Sequence, residues 1–150
     1  MSPNIGTGDE KRRKDLPRPA KREPIEAPSP VVLVVDDVED SRELYVQYLS
    51  FLGYQVYGAA NGLVGLELAA LHHPEVVVLD LSMPGMDGWE VCNRLKREPS
   101  PPRVIVVTGH GMRGTPQTQR ELPCDAYFLK PCLPDDLESE IRRQLRPRAA

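Results

Sequence analysis

Runs of β-branched residues alternate along this chain with stretches whose apolar positions recur at helical spacing. Strands are expected at 31–35 (VVLVV), weakly around 55–58, then at 75–80, 103–108 and 126–129. Between the first two, the spacing predicts a helix over 41–52, with Leu44, Tyr48 and Leu52 on its buried face and Gly53 as its stop. A second helix opens near Asn61, a good N-cap, places Leu63, Leu66 and Ala70 on one face, and must end before Pro74. A third opens near Asp87 and carries Trp89, Val91 and Leu95, with Glu90 and Arg94 at i, i+4. The stretch 109–121 is the poorest helix of the set, because Gly109, Gly111, Gly114 and Pro116 all weaken it. The last helix begins after Pro134, with Asp135 and Asp136 in its first turn, where they complement the helix dipole. Leu137, Ile141 and Leu145 give its buried face. Five βα units imply an α/β fold, a doubly wound five-stranded parallel sheet with right-handed crossovers that place helices on both faces.

Composition changes the picture mainly at the ends. Residues 1–30 hold six prolines, a KRRK run at 11–14 and almost no large apolar side chains. Such a segment cannot bury enough surface to offset its ordering entropy. It reads as a disordered, solvated tail, or more sharply as a basic arm for an acidic partner surface. The folded unit is expected over 31–146, with 147–150 as a short C-terminal tail and no output domain after the last helix. Net charge is −3, and the tail carries seven Lys/Arg against five Asp/Glu, so the acidic excess lies in the folded part. Direct nucleic-acid binding through bulk charge is therefore not expected. Three cysteines, Cys92, Cys124 and Cys132, without C-x-x-C spacing suggest a reducing compartment. No apolar run approaches the roughly 18 residues of a membrane span, and the polar N-terminus lacks a signal-peptide core. A cytoplasmic protein with no membrane association is expected.

The chemistry lies where the strands stop. Asp36 and Asp37 follow the first strand, Asp80 the third, Thr108 ends the fourth, and Lys130 with Pro131 follows the fifth. In an open parallel sheet the carboxyl ends of the strands form the ligand crevice, so these groups converge on one small polar site. An acidic pocket with one cation and one hydroxyl suits Mg²⁺ and a phosphoryl group. Asp80 is the candidate nucleophile, since a carboxylate attacking a phosphoryl group forms an acyl phosphate. Asp36 and Asp37 are the plausible metal ligands, Lys130 can bind a phosphoryl oxygen as a point charge, and Thr108 can donate to another. Taken singly, paired Asp after a strand can cap a helix, Thr favours strand ends, and a lone Lys is solvated. Their order on successive strand ends favours the joint site.

Residues 31–146 resemble the receiver domain of two-component response regulators, the single-domain, CheY-like type with a flavodoxin-like fold and strand order 2-1-3-4-5. The resemblance rests on VVLVVDD with Glu39 and Asp40 following, VVVLDLSMPGMDGWE at 76–90, VIVVTG at 104–109 and AYFLKP at 126–131. The segment D-x-x-M-P-x-M-D-G is highly specific for that family. The resemblance implies that Asp80 is the phosphoacceptor, becoming 4-aspartylphosphate, with Asp36, Asp37, Asp80 and the backbone carbonyl of Ser82 around Mg²⁺. It implies Thr108 as switch hydroxyl, Lys130 as phosphoryl-binding lysine and a cis bond to Pro131. Tyr127 matches the switch aromatic, although an aromatic on the fifth strand also fills core space. The loop 83–88 shapes the turn beside the acceptor, where Pro84, Gly85 and Gly88 suit tight backbone geometry. Implied partners are a sensor histidine kinase or phosphotransfer protein as donor, and an unidentified downstream protein. The implied role is a signalling module rather than an enzyme.

Two departures stand out. Gly109 replaces the usual Ala after the switch Thr, and three further helix breakers crowd 111–116. The interaction surface formed by the fourth helix and fifth strand is thereby put in doubt. Cys124 and Asp125 replace the Gly-rich approach that commonly precedes the fifth strand. His110 sits where the family tunes hydrolysis of the acyl phosphate. An aspartyl phosphohydrolase of the haloacid-dehalogenase type is the enzyme-class alternative. It calls for a second Asp two residues after the nucleophile, where this chain has Ser82, which cannot serve as general acid/base at neutral pH. A nucleotide-binding Rossmann role lacks a G-x-G-x-x-G after a strand. An interaction module that never uses its phosphorylation site is the third possibility.

Overall fold

The β-branched runs become strands because they pack well on a pleated surface covered on both sides. The computed structural model describes residues 28–109 and 124–147. In chain order these form β1 (Val31–Val35), α1 (Glu39–Phe51), β2 (Gln55–Ala59), α2 (Gly62–His72) and β3 (Val76–Leu79). There follow α3 (Gly88–Lys96), β4 (Arg103–Thr108), β5 (Ala126–Leu129) and α4 (Pro134–Leu145). All strand pairs are parallel, and the sheet order is β2-β1-β3-β4-β5. The chain order reverses its direction of growth between β1 and β3, and a switch point of this kind opens the crevice above the strand ends.

Alternation along each strand divides the core in two. Val32 and Val34 face one side with Val76, Val78, Ile105 and Val107, packed against Tyr45, Tyr48 and Leu49 of α1 and Leu137 and Ile141 of α4. Leu33 and Val35 face the other with Val77, Leu79, Val104 and Val106, against Val91, Cys92 and Leu95 of α3. In α3 the exposed Glu90–Arg94 pair at 2.8 Å contributes about 0.3–0.5 kcal/mol, whereas burying Val91 and Leu95 contributes about 1.5–3 kcal/mol each. Packing holds this helix in place.

Two expected helix faces need correction. α1 opens at Glu39 rather than Ser41, and its buried side chains are Tyr45, Tyr48 and Leu49, while Leu44 is 43% exposed. In α2 the buried positions are Gly62 and Gly65, and Leu63 and Ala70 point to solvent. A Cβ on Gly65 would lie 2.9 Å from Val35 Cγ2, and one on Gly62 would lie 2.6 Å from Val91 Cγ2. Close approach of α2 to β1 and α3 sets its orientation, with Leu66, as expected, half-buried against the same core beside Leu68 and Ala69. The caps at Asn61 and Asp87 form as expected, each side chain accepting from the backbone N–H three residues on, Val64 and Glu90 respectively. The expected tail at 1–30 lies outside the described residues as far as 27, the segment 109–121 from His110 onward, and the C-terminal tail from Arg148. None of the described helices is long and apolar enough to cross a membrane.

Candidate functional site

Three of the polar groups at strand ends are fixed by a backbone hydrogen bond to the neighbouring strand. Asp36 N–H donates to the Ala59 carbonyl at 3.0 Å, Asp80 N–H to Val35 at 2.9 Å and Lys130 N–H to Thr108 at 2.8 Å. Asp36, Asp80 and Thr108 are buried, and Asp37 is exposed at the rim. One carboxylate oxygen each from Asp36, Asp37 and Asp80 lies within 4.8 Å of the others. Lys130 leaves β5 at the sheet edge and reaches over the ends of β4 and β3. Its Nζ sits 2.8 Å from Asp36 Oδ2 and 3.3 Å from Asp80 Oδ2. Burial alone would lower the pKa of this ammonium. The hydrogen bond to Asp36 and the charges of Asp80 and Asp36 outweigh burial and hold it above the ordinary lysine value.

The loops around these groups are tied to the carboxylates themselves. Ser82 N–H donates to Asp80 Oδ1 at 2.9 Å, and the Ser82 and Thr108 hydroxyls meet at 3.2 Å. Val38 N–H donates to Asp36 Oδ1 at 2.9 Å, so Asp36 closes the turn that starts α1. In the loop 83–88, Gly85 adopts φ 84°, and Gly88 is pressed against the acceptor turn. A Cβ on Gly88 would lie 2.5 Å from Leu81 Cα and 2.6 Å from the Asp80 carbonyl oxygen. The Lys130–Pro131 peptide bond is cis. Tyr127 lies half-buried, packed against the α3-side core.

Sequence reasoning missed three contributors. Arg42 Nη1 donates to the Asp36 carbonyl at 2.9 Å, and Tyr45 donates its hydroxyl to the Cys132 carbonyl at 2.9 Å. Asp125, noted only as a departure, accepts from Lys96 Nζ at 2.5 Å and from Val104 N–H at 2.7 Å. It pins α3 and β5 to the start of β4. An Arg or Tyr early in a helix is too common to signal such a role, and all three depend on tertiary partners.

The donor set decides what the crevice can hold. Three carboxylates against one ammonium leave an excess of negative charge, with hard oxygen atoms only. That chemistry fits Mg²⁺, which takes oxygen ligands and keeps several waters, rather than a thiolate-seeking metal. Among the described residues, a Cβ built on Gly109 would meet Lys130 Cδ at 3.9 Å, an ordinary van der Waals contact.

Comparison with known proteins agrees with this geometry. A family model described as the response regulator receiver domain matches residues 32–142. The chain is similar to a probable transcriptional regulator, ycf27, of Cyanophora paradoxa, 42% identical over 115 residues that cover 77% of this chain and 48% of that protein. It thus spans about half the length of that relative and of the other ycf27 proteins it matches. It is also similar to sporulation initiation phosphotransferase F of Bacillus subtilis (strain 168), 35% identical over 114 residues, covering 76% of this chain and 92% of that one. Among solved structures it resembles a CheY-like response regulator receiver domain protein from Methanospirillum hungatei JF-1. That likeness has a TM-score of 0.72 at 30% identity, and covers 78% of this chain and 94% of the other.

Proposed function

The chain belongs to the response regulator receiver domain family of two-component signalling, and we propose that it accepts a phosphoryl group on Asp80 from a phosphohistidine. An Asp80 carboxylate oxygen forms a bond to phosphorus as the phosphorus–nitrogen bond breaks. The imidazole leaves with that electron pair, and Asp80 carries an acyl phosphate. Asp36, Asp37, Asp80 and the Ser82 carbonyl would hold Mg²⁺, which supplies positive charge against the phosphoryl oxygens. Lys130, already bridging Asp36 and Asp80, binds one phosphoryl oxygen, and Thr108 donates its hydroxyl to another. In turning to do so, Thr108 leaves Ser82, and Tyr127 moves inward as the adjoining surface changes, a shift between two populated states. The single observation that carries this reading is the Lys130 ammonium held between two buried carboxylates beside a third.

Receiver domains work with histidine kinases or phosphotransfer proteins, and such a donor together with a downstream protein is the partner set we propose, in the cytoplasm. The folded unit is assigned to 31–146. The name of the Bacillus subtilis relative, a phosphotransferase, supports a relay role. The test is incubation with acetyl phosphate and Mg²⁺ followed by intact-mass measurement. One added phosphoryl group is expected, and none once Mg²⁺ is chelated. A chain that stays unmodified with acetyl phosphate and with several phosphohistidine donors is an interaction module instead.

A further inference from the structure

One face of α1 grips the chain on both sides of the Lys130–Asp36 pair. Arg42 holds the Asp36 carbonyl at 2.9 Å, and Tyr45, three residues on and therefore on the same face, holds the Cys132 carbonyl at 2.9 Å. Cys132 follows Lys130 by two residues. Before it, Lys130 is tied to β4 through the Thr108 carbonyl at 2.8 Å, and after it the turn is tied to α1 through Tyr45. The tyrosine is 4% exposed, and its bond to the half-buried Cys132 is partly buried.

We infer that Tyr45 is a positioning residue for phosphoryl transfer, anchoring the turn after β5 so that Lys130 reaches the acceptor carboxylate. The inference rests on the reading of Asp80 as phosphoacceptor. A ring that merely fills the α1-side core would serve as well without its hydroxyl, which gives the test its form. Loss of the hydroxyl leaves the Cys132 carbonyl unpaired and lets the turn relax, displacing an ammonium whose contact with Asp80 is already 3.3 Å. Tyr48, whose hydroxyl donates to Asp135 on α4, provides a control on the same helix.

The initial rate of phosphorylation is measured against acetyl phosphate concentration at saturating Mg²⁺, with the full chain. Tyr45→Phe is expected to lower the maximal rate about threefold to tenfold, the scale of one net hydrogen bond, with KM within about twofold. Tyr48→Phe should leave both unchanged. In a Lys130→Ala background, Tyr45→Phe should have no further effect, because the two act through one group. An unchanged rate in Tyr45→Phe overturns the inference, as does an equal loss with Lys130 absent. Should the wild type take up no phosphoryl group, the functional reading falls, and a crystal structure of Tyr45→Phe then decides the positioning role. Lys130 Nζ withdrawn from Asp80 supports it, and an unmoved Nζ overturns it.

Discussion

Lys130 is the one cation within hydrogen-bonding distance of the Asp36 and Asp80 carboxylates among the described residues, and it cannot neutralise three carboxylates. Like charges about 4 Å apart repel by about 1 kcal/mol in water and about 4 kcal/mol near a protein surface. Exposed Asp37 belongs toward the lower figure, and the buried Asp36–Asp80 pair toward the upper. Millimolar Mg²⁺ should therefore raise the melting temperature by binding the native state. Asp37→Asn should raise the metal-free melting temperature slightly and shrink the Mg²⁺-induced rise. An undiminished rise in the variant would show that Asp37 is not a ligand. The charged members of this cluster were legible in the sequence because each directly follows a strand run. Arg42 and Tyr45 were not, because their partners are known only once α1 lies beside the strand ends.

At the level of elements, the turn carrying Asp80 is shaped from outside by the first residue of α3. Gly88 abuts backbone atoms on two sides, Leu81 Cα and the Asp80 carbonyl, and neither can rotate away as a side chain would. Gly88→Ala should push the loop 81–87 outward and destabilise the fold by about 1–3 kcal/mol, the usual scale of overpacking. It should also slow phosphorylation at Asp80. Urea unfolding and the acetyl phosphate assay measure the two effects, and full activity in a stable variant would mean that the loop is not held by this contact. The pattern of α1 shows why periodicity located helices better than faces. Leu44/Tyr48/Leu52 and Tyr45/Tyr48/Leu49 both satisfy helical spacing. Hydropathy favoured the first, while the turn before α4 and the start of α4 select the second by offering the Cys132 carbonyl and Asp135 to the hydroxyls of Tyr45 and Tyr48. The α2 segment is apolar nearly all round, so no periodicity could show that its glycines face inward.

For the molecule as a whole, both core faces contain a group that resists deprotonation. Burial, then the Cys132 and Asp36 charges, push the Tyr45 hydroxyl up to about 12, and burial first of all pushes the Cys92 thiol up to about 12. The folded state thus keeps protons that the unfolded chain releases from about pH 9 for the thiol and about pH 10 for the phenol. Stability from these groups is complete below those values and is lost as the pH climbs toward about 12. Urea midpoints should fall through that window, and native Cys92 should be alkylated far more slowly at pH 8 than in urea. Alkylation of Cys92 at the denatured rate would contradict its burial between α3 and the sheet. The two-faced sheet that creates these environments was readable from five strand runs and their helical intervals.

The role of Asp80 is tested most directly by phosphotransfer from a phosphohistidine donor to the wild type and to Asp80→Asn, in Mg²⁺, with the modified residue mapped by peptide mass. One phosphoryl group on Asp80 in the wild type and none on the variant is the expected result. Equal labelling of both chains, or a phosphoryl group mapped to another residue, would contradict Asp80 as the acceptor.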